Sequence, residues 1–304
     1  MIELIATAES AEQAMALMDA GVDTIFAGNR VFGLRLPASL DTDEIAEIVR
    51  AARERGAKVT VAVNAIMHND RIEMLADYLH ALDGIGVDAV AVGDPGVIRL
   101  LKVRGIGLPF IYDAHTLVTS AGQINFWAKR GAVGAVLARE LTFAEIKAIR
   151  AAAIVPVEVQ VYGPACIHHS KRPLVDNYLR HIRADDAARS GLFISRLEEA
   201  DKRYPIFEDE HGTHIFAAED INLLPHLGEL AEAGVTRWKL DGLFARGERF
   251  VEIARLFAEA KKAIGEGRWT EELVGRLEDG LSRLQPAERP LGAGFFLKNA
   301  ADIR

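Results

Sequence analysis

Residues 56–94, GAKVTVAVNAIMHNDRIEMLADYLHALDGIGVDAVAVGD, hold one full period of the pattern that decides the fold. An apolar strand (58–64) leads into a polar loop and then a helix. In that helix Ile72, Leu75, Ala76 and Leu79 fall at i, i+3, i+4 and i+7, so a single apolar stripe faces a sheet. Gly86 follows with the left-handed cap that lets the chain reverse, and the next strand (88–94) begins at once. The same junction of glycine and strand recurs at Gly21, Gly56, Gly131 and Gly234. Working outward, strands are expected at 3–8, 23–28, 58–64, 88–94, 109–114, 134–140, 157–163 and 237–242. Strands that alternate with helices run parallel, because a parallel return needs a crossover. The expected architecture is a TIM-like (β/α)8 barrel over 1–265, with an open doubly wound sheet as the alternative.

Helix starts support the period. Asp41 with Glu44 and Thr142 with Glu145 have capping-box spacing, and Asp94-Pro95 offers an N-cap followed by proline. The seventh and eighth strands lie far apart, so 164–212 is expected to be an insertion at the barrel mouth. It contains a basic segment, a charged stretch (RADDAARSGLFISRLEEADKR) and a hairpin turning at His211-Gly212. Residues 266–304 form a charged helical tail ending in GAGFFLKN, whose paired phenylalanines must dock on this body or on another subunit.

The bulk numbers exclude several classes. A net charge of −8 and a pI near 5.7 argue against strong sequence-independent nucleic-acid binding. A single cysteine, Cys166, rules out an internal disulfide framework and a four-cysteine metal site made by this chain alone. With no signal-like leader and no long apolar run, a cytoplasmic protein without a membrane span is expected.

Polar residues at strand ends converge on one mouth in such a fold. They are Asn64, Asp94, Asp113, His115, Arg139, Glu140, Tyr162, Lys239 and Asp241. Each alone has a dull explanation (Asp94 as a cap, Arg139 as a partner of Glu140), but together they exceed what capping needs and suggest a pocket for a small anionic metabolite. VEVQVYG (157–163) alternates like a strand and breaks at Gly163-Pro164, where a sharp turn is expected. Beyond it lie Cys166, His168 and His169, a pairing that would make a reactive thiolate only if they face each other. Within Cys166–Arg183 there are four Lys/Arg against one Asp, a local cationic patch on an acidic chain. His168, His169, His211 and His214 would hold a metal only if folding gathered them.

Several segments resemble the collagenase-like, U32-type peptidase family of unknown catalytic type: VDTIFAGNRVFGLR (22–35), VAVNAIMHND (61–70), VLARELTFAEI (136–146), VEVQVYGPACI (157–167), YPIFEDEHGTHI (204–215) and WKLDG (238–242). The resemblance implies a barrel-like domain. It also implies roles in RNA base or quinone hydroxylation, and in many members a four-cysteine iron–sulfur cluster. Cys166 matches the first cluster cysteine, but Pro173 stands where the second is expected. The resemblance is therefore to the shorter, cluster-poor branch, in which two paralogues together support hydroxylation of the wobble uridine of tRNA. It implies no cofactor bound by this chain alone, a longer cysteine-rich paralogue carrying the cluster, a prephenate-like co-substrate, and Lys171, Arg172, Arg180 and Arg183 as tRNA phosphate contacts. A collagenase-like peptidase and a non-catalytic scaffold subunit are the alternatives.

Overall fold

The computed structural model describes residues 1–183 and 191–299, and the side chains of Asp70, Arg196, Ala200 and Asp201 are excepted. In chain order the elements are β1 (Glu3–Thr7), α1 (Ala11–Asp19), β2 (Thr24–Ala27), α2 (Thr42–Arg55), β3 (Lys58–Val63), α3 (Asn69–Ile85), β4 (Ala89–Val92), α4 (Pro95–Val103), β5 (Phe110–Tyr112), α5 (Ala121–Ala128), β6 (Ala132–Val136) and α6 (Phe143–Ala152). β7 (Val157–Ser170), α7 (Leu174–Ile182), β8 (Phe193–Arg196), β9 (Glu199–Asp209), β10 (Gly212–Asn222), α8 (Leu227–Glu232) and β11 (Arg237–Leu240) follow. The chain then runs through α9 (Gly247–Gly265), α10 (Glu271–Leu284) and β12 (Leu291–Gly292).

β1 through β7 pair in sequence order, all parallel, and β11 pairs with both β7 and β1. That double pairing closes the ring, so the structure is an eight-stranded barrel and the open-sheet alternative falls. Leu4, Ile25, Val61, Val90, Trp238 and Leu240 point outward into one large core beneath the helices. Residues of the opposite parity fill the interior: Ile5, Phe26, Ala62 and Ala91 form one small cluster, and Ala89, Ile111 and Val136 another. Arg237 sits low in this interior, paired with Glu3 and, at 3.4 Å, with Glu158.

The expected caps are present. Asp41 and Thr142 each form a complete capping box, and the carboxylate of Asp94 accepts from the backbone of Gly96 at 2.6 Å. Two expectations need correction. The strand set at 134–140 lies at Ala132–Val136, which leaves Arg139 and Glu140 on the loop above it. The chain also does not turn sharply at Gly163-Pro164: β7 runs on to Ser170, and its outer half leaves the barrel to pair antiparallel with β10. Gly163 makes this possible. Its φ of +105° is open to glycine, and a Cβ there would collide with the carbonyl oxygen of Asp241.

β9 and β10 form the expected hairpin, turning at Glu210 and His211. His211 ties it to the barrel: Nε2 donates to the carbonyl of Arg30 at 2.6 Å, and Nδ1 accepts from Arg71 at 2.7 Å. The tail returns over the mouth, where β12 pairs with β10, and Phe296 is buried against Phe143 and His226. A buried pair, Arg289 with Asp220, fastens tail to hairpin. Part of the charged stretch, 184–190, lies outside the described residues. No helix among those described is long and apolar enough to cross a membrane.

Candidate functional site

At the carboxyl ends of the strands the interior opens into a polar cup. Asn64 follows β3, Asp113 and His115 follow β5, Arg139 follows β6, and Lys239 and Asp241 come from the end of β11. Asn64 donates to Asp113 at 2.7 Å and accepts from the backbone of Leu34 at 3.0 Å. His115 is fixed in one tautomer, with Nε2 donating to the carbonyl of Asn64 at 2.9 Å. Its Nδ1 therefore accepts from Arg35, at 2.7 Å. Lys239 is almost wholly buried, with Nζ 3.3 Å from the centre of the Phe26 ring and 3.8 Å from Glu158. Arg139 donates to Gln160, whose amide in turn donates to the carbonyl of Pro164 at 3.0 Å.

Charge in the cup is divided by environment. Burial alone would raise Asp113, but His115, Lys239, the Asn64 hydrogen bond and Arg139 outweigh it, so the carboxylate stays ionised well below its usual range. For Asp241 burial prevails over Lys239 and Arg139, and its carboxyl is held above the usual range. Burial, reinforced by Arg35, pushes His115 down to about 4, so it is neutral near pH 7. Two carboxyls driven apart in this way can divide the work of ion pairing and proton exchange.

Arg35 and His115 hold φ of +53° and +55°, two of the three non-glycine residues in the left-handed region among those described. Such backbone costs about 1 kcal/mol or more per residue, and it survives where surrounding contacts enforce it. That these two side chains meet makes the strain a property of the site. Arg35 escapes a reading of strand ends because it stands eight positions past β2, in a loop. The motif ending at Arg35 is its only signal. Phe26 and Gln160 are hidden among ordinary strand residues.

Two expected rim residues lie elsewhere. Asp94 is spent on its helix cap and on the backbone of Met67. Tyr162 points outward. The register slips between Lys239 and Leu240, so Val161 is an extra residue and Tyr162 pairs with outward-facing Leu240. Its ring packs on Phe257 and its hydroxyl donates to Gln285 at 2.7 Å.

Above the cup a cavity of about 1360 Å³ opens between barrel loops, hairpin and tail, lined among others by Arg139, Glu140, Cys166, His168, Ile215 and Lys298. Cys166 thus faces this cavity, but its expected partner does not hold. His168 is exposed and meets the thiol only through its carbonyl, at 3.3 Å, because Ile167 is an extra residue at a bulge, so Cys166 pairs with Phe216 while His168 pairs with Ile215 on the opposite face. His169 donates to the carbonyl of His211 and stacks on His214 with centroids 4.4 Å apart. Lys171, Arg172, Arg180 and Arg183 are exposed in and around α7. There Lys171 donates to the carbonyl of Glu210, and Arg180 to Asp176 and Asn177. Among the described residues no three metal-ligating side chains gather, and one cysteine cannot supply a four-cysteine ligand set. The residues of this chain do not fit an iron–sulfur cluster.

The model of peptidase family U32 matches residues 9–304. The chain belongs to that family. Across 304 residues it is 36% identical to the tRNA hydroxylation protein P2 of Bacillus subtilis strain 168, covering 97% of each chain. It is 26% identical to tRNA hydroxylation protein P1 of the same organism, over 89% of this chain and 67% of that one. Among solved structures, the U32 peptidase Mk0906 matches with a TM-score of 0.50 at 18% identity, over 81% of this chain and 94% of that one. At that identity it supports the barrel alone.

Proposed function

We propose that this chain is the smaller, cluster-free subunit of a cytoplasmic system that hydroxylates the wobble uridine of tRNA to 5-hydroxyuridine, working with a longer cysteine-rich paralogue. The observation that carries the reading is the end-to-end likeness to the P2 protein. The cup is consistent with it. Arg35, Arg139 and Lys239 gather three cations where a small polycarboxylate, such as a prephenate-like co-substrate, would be neutralised away from water. Asp113, kept ionised, holds Asn64 and His115 in place, and Asp241 is the carboxyl suited to exchanging a proton with a bound molecule. Any iron–sulfur cluster belongs on the paralogue, where it would supply the redox chemistry this chain lacks residues for. The exposed cations around α7 suit tRNA phosphates, and four such contacts would give a slope of log affinity against log salt of about −3 to −4.

The test is to delete the gene together with its paralogues, return the longer paralogue with or without this chain, and measure 5-hydroxyuridine in tRNA by mass spectrometry. Wild type should restore the nucleoside, and Lys239→Met and Arg139→Gln should not. A deletion strain with unchanged 5-hydroxyuridine ends the proposal. Full rescue by both cup variants would leave only a scaffold role. Measuring tRNA retention for Arg172→Ala/Arg180→Ala separates the phosphate contacts from the cup.

A further inference from the structure

An imidazole on the same face as the only cysteine is supplied by the other strand of the ladder. Cys166 pairs with Phe216 across a bulge, and His214, two residues before Phe216 on β10, lies on the same face. His214 has no exposed surface, and its Nε2 donates to Asp209 at 3.0 Å. That leaves Nδ1 as the basic nitrogen. It is buried with no hydrogen-bond partner, and the Cys166 thiol, on the same face of the ladder, is the reactive group beside the ring. Stacking on His169 and packing against Phe207, with centroids 5.1 Å apart, hold the ring plane. The thiol itself lines the large cavity.

We propose that Cys166, His214 and Asp209 form a nucleophilic thiol site that captures an electrophilic carbon carried by a small anionic molecule. The arrangement is that of an activated nucleophile: a thiol, a base, and a carboxylate that fixes the tautomer of the base. Arg139 lines the cavity beside the thiol, Arg35 acts on the thiol from the cup, and the two supply the preference for an anion. Burial opposes the thiolate, but the neighbouring His214 imidazole and these charges overcome it, and the thiol is held below its ordinary value. His214 is raised despite burial, through Asp209 and Cys166. With a carbonyl ligand, Nδ1 takes the thiol proton, sulfur bonds to the carbonyl carbon, and the π pair moves to oxygen. The imidazolium then returns the proton to that oxygen. The product is a hemithioacetal and no other reactant is consumed.

Because the chain has one cysteine, intact-mass spectrometry reports on this site alone. The probes are iodoacetate and iodoacetamide, where sulfur displaces iodide, and the rate is followed from pH 5 to 9. The groups facing the thiol are Arg35, Arg139, His214 and, beyond it, Asp209 and His169. At pH 7 the wild type should react about tenfold or more faster than a peptide thiol. Its ratio of iodoacetate to iodoacetamide rates should exceed that of the peptide. Asp209→Asn and His214→Gln should each slow the reaction about tenfold and shift its onset to higher pH, and Arg139→Gln should lower the probe ratio. A wild-type rate equal to the peptide's overturns the proposal without any variant. So does a rate unmoved by Asp209→Asn in protein whose circular dichroism matches wild type. The readout needs neither tRNA nor the paralogue, so its failure is distinct from failure of the hydroxylation reading.

Discussion

Replacing His115 by Gln turns the cup's proton balance into a measurable stability. In the wild type, Nδ1 accepts from Arg35 and Nε2 donates to Asn64, so protonation removes an acceptor and sets a second cation against Arg35. The folded pKa is about 4, against an ordinary value of 6.5. The sign follows from linkage: the unfolded chain binds this proton first. The neutral imidazole's contribution is therefore fully present above pH 6.5 and is lost as pH falls toward 4. At 1.36 kcal/mol per unit, the window corresponds to roughly 3 kcal/mol. Asp113, held below its usual range, loses its contribution only at lower pH, outside the window. Urea unfolding at pH 7.5, 6, 5 and 4.5 for wild type and His115→Gln tests this. The wild-type curve should fall more steeply between pH 6.5 and 4.5, and the gap between the two proteins should close accordingly. Parallel curves would refute the neutral, wedged imidazole.

Other expectations follow from the same contacts. Asp241→Asn removes a carboxyl that the fold prefers protonated; its thermal midpoint should gain on wild type as pH rises from 4 to 7. Asp220→Ala strands the buried Arg289 guanidinium and should cost about 3–5 kcal/mol in urea unfolding, with Asp220→Leu/Arg289→Met recovering most of the loss. Gly163→Ala forces an L side chain into a left-handed backbone and against Asp241, so a loss of at least about 2 kcal/mol, or failure to fold, is expected by circular dichroism.

The barrel was legible because its signals are local and repeated. Caps at Asp41 and Thr142, apolar stripes and glycine junctions each report on neighbours in sequence, and the closing β11–β1 and β11–β7 pairs were the long-range step that only the folded chain reveals. Strand-end position found Asn64, Asp113, His115, Arg139, Lys239 and Asp241 for the same reason. It missed Arg35 because loop geometry, set by a left-handed backbone, brings that side chain in. It misplaced Tyr162 because a single extra residue inverts strand parity, and such a bulge leaves no mark in alternation. The partner of Cys166 lay 48 positions away on another strand, where proximity in sequence pointed instead to His168.

The shared strand β7 has a consequence for how the molecule comes apart. Its first half is a stave of the barrel and its second half a rail of the roof, and the strand runs through both without interruption. Roof and vessel therefore melt as one cooperative body, and a protease that nicks the roof does not liberate it, because each fragment keeps its grip on the wall.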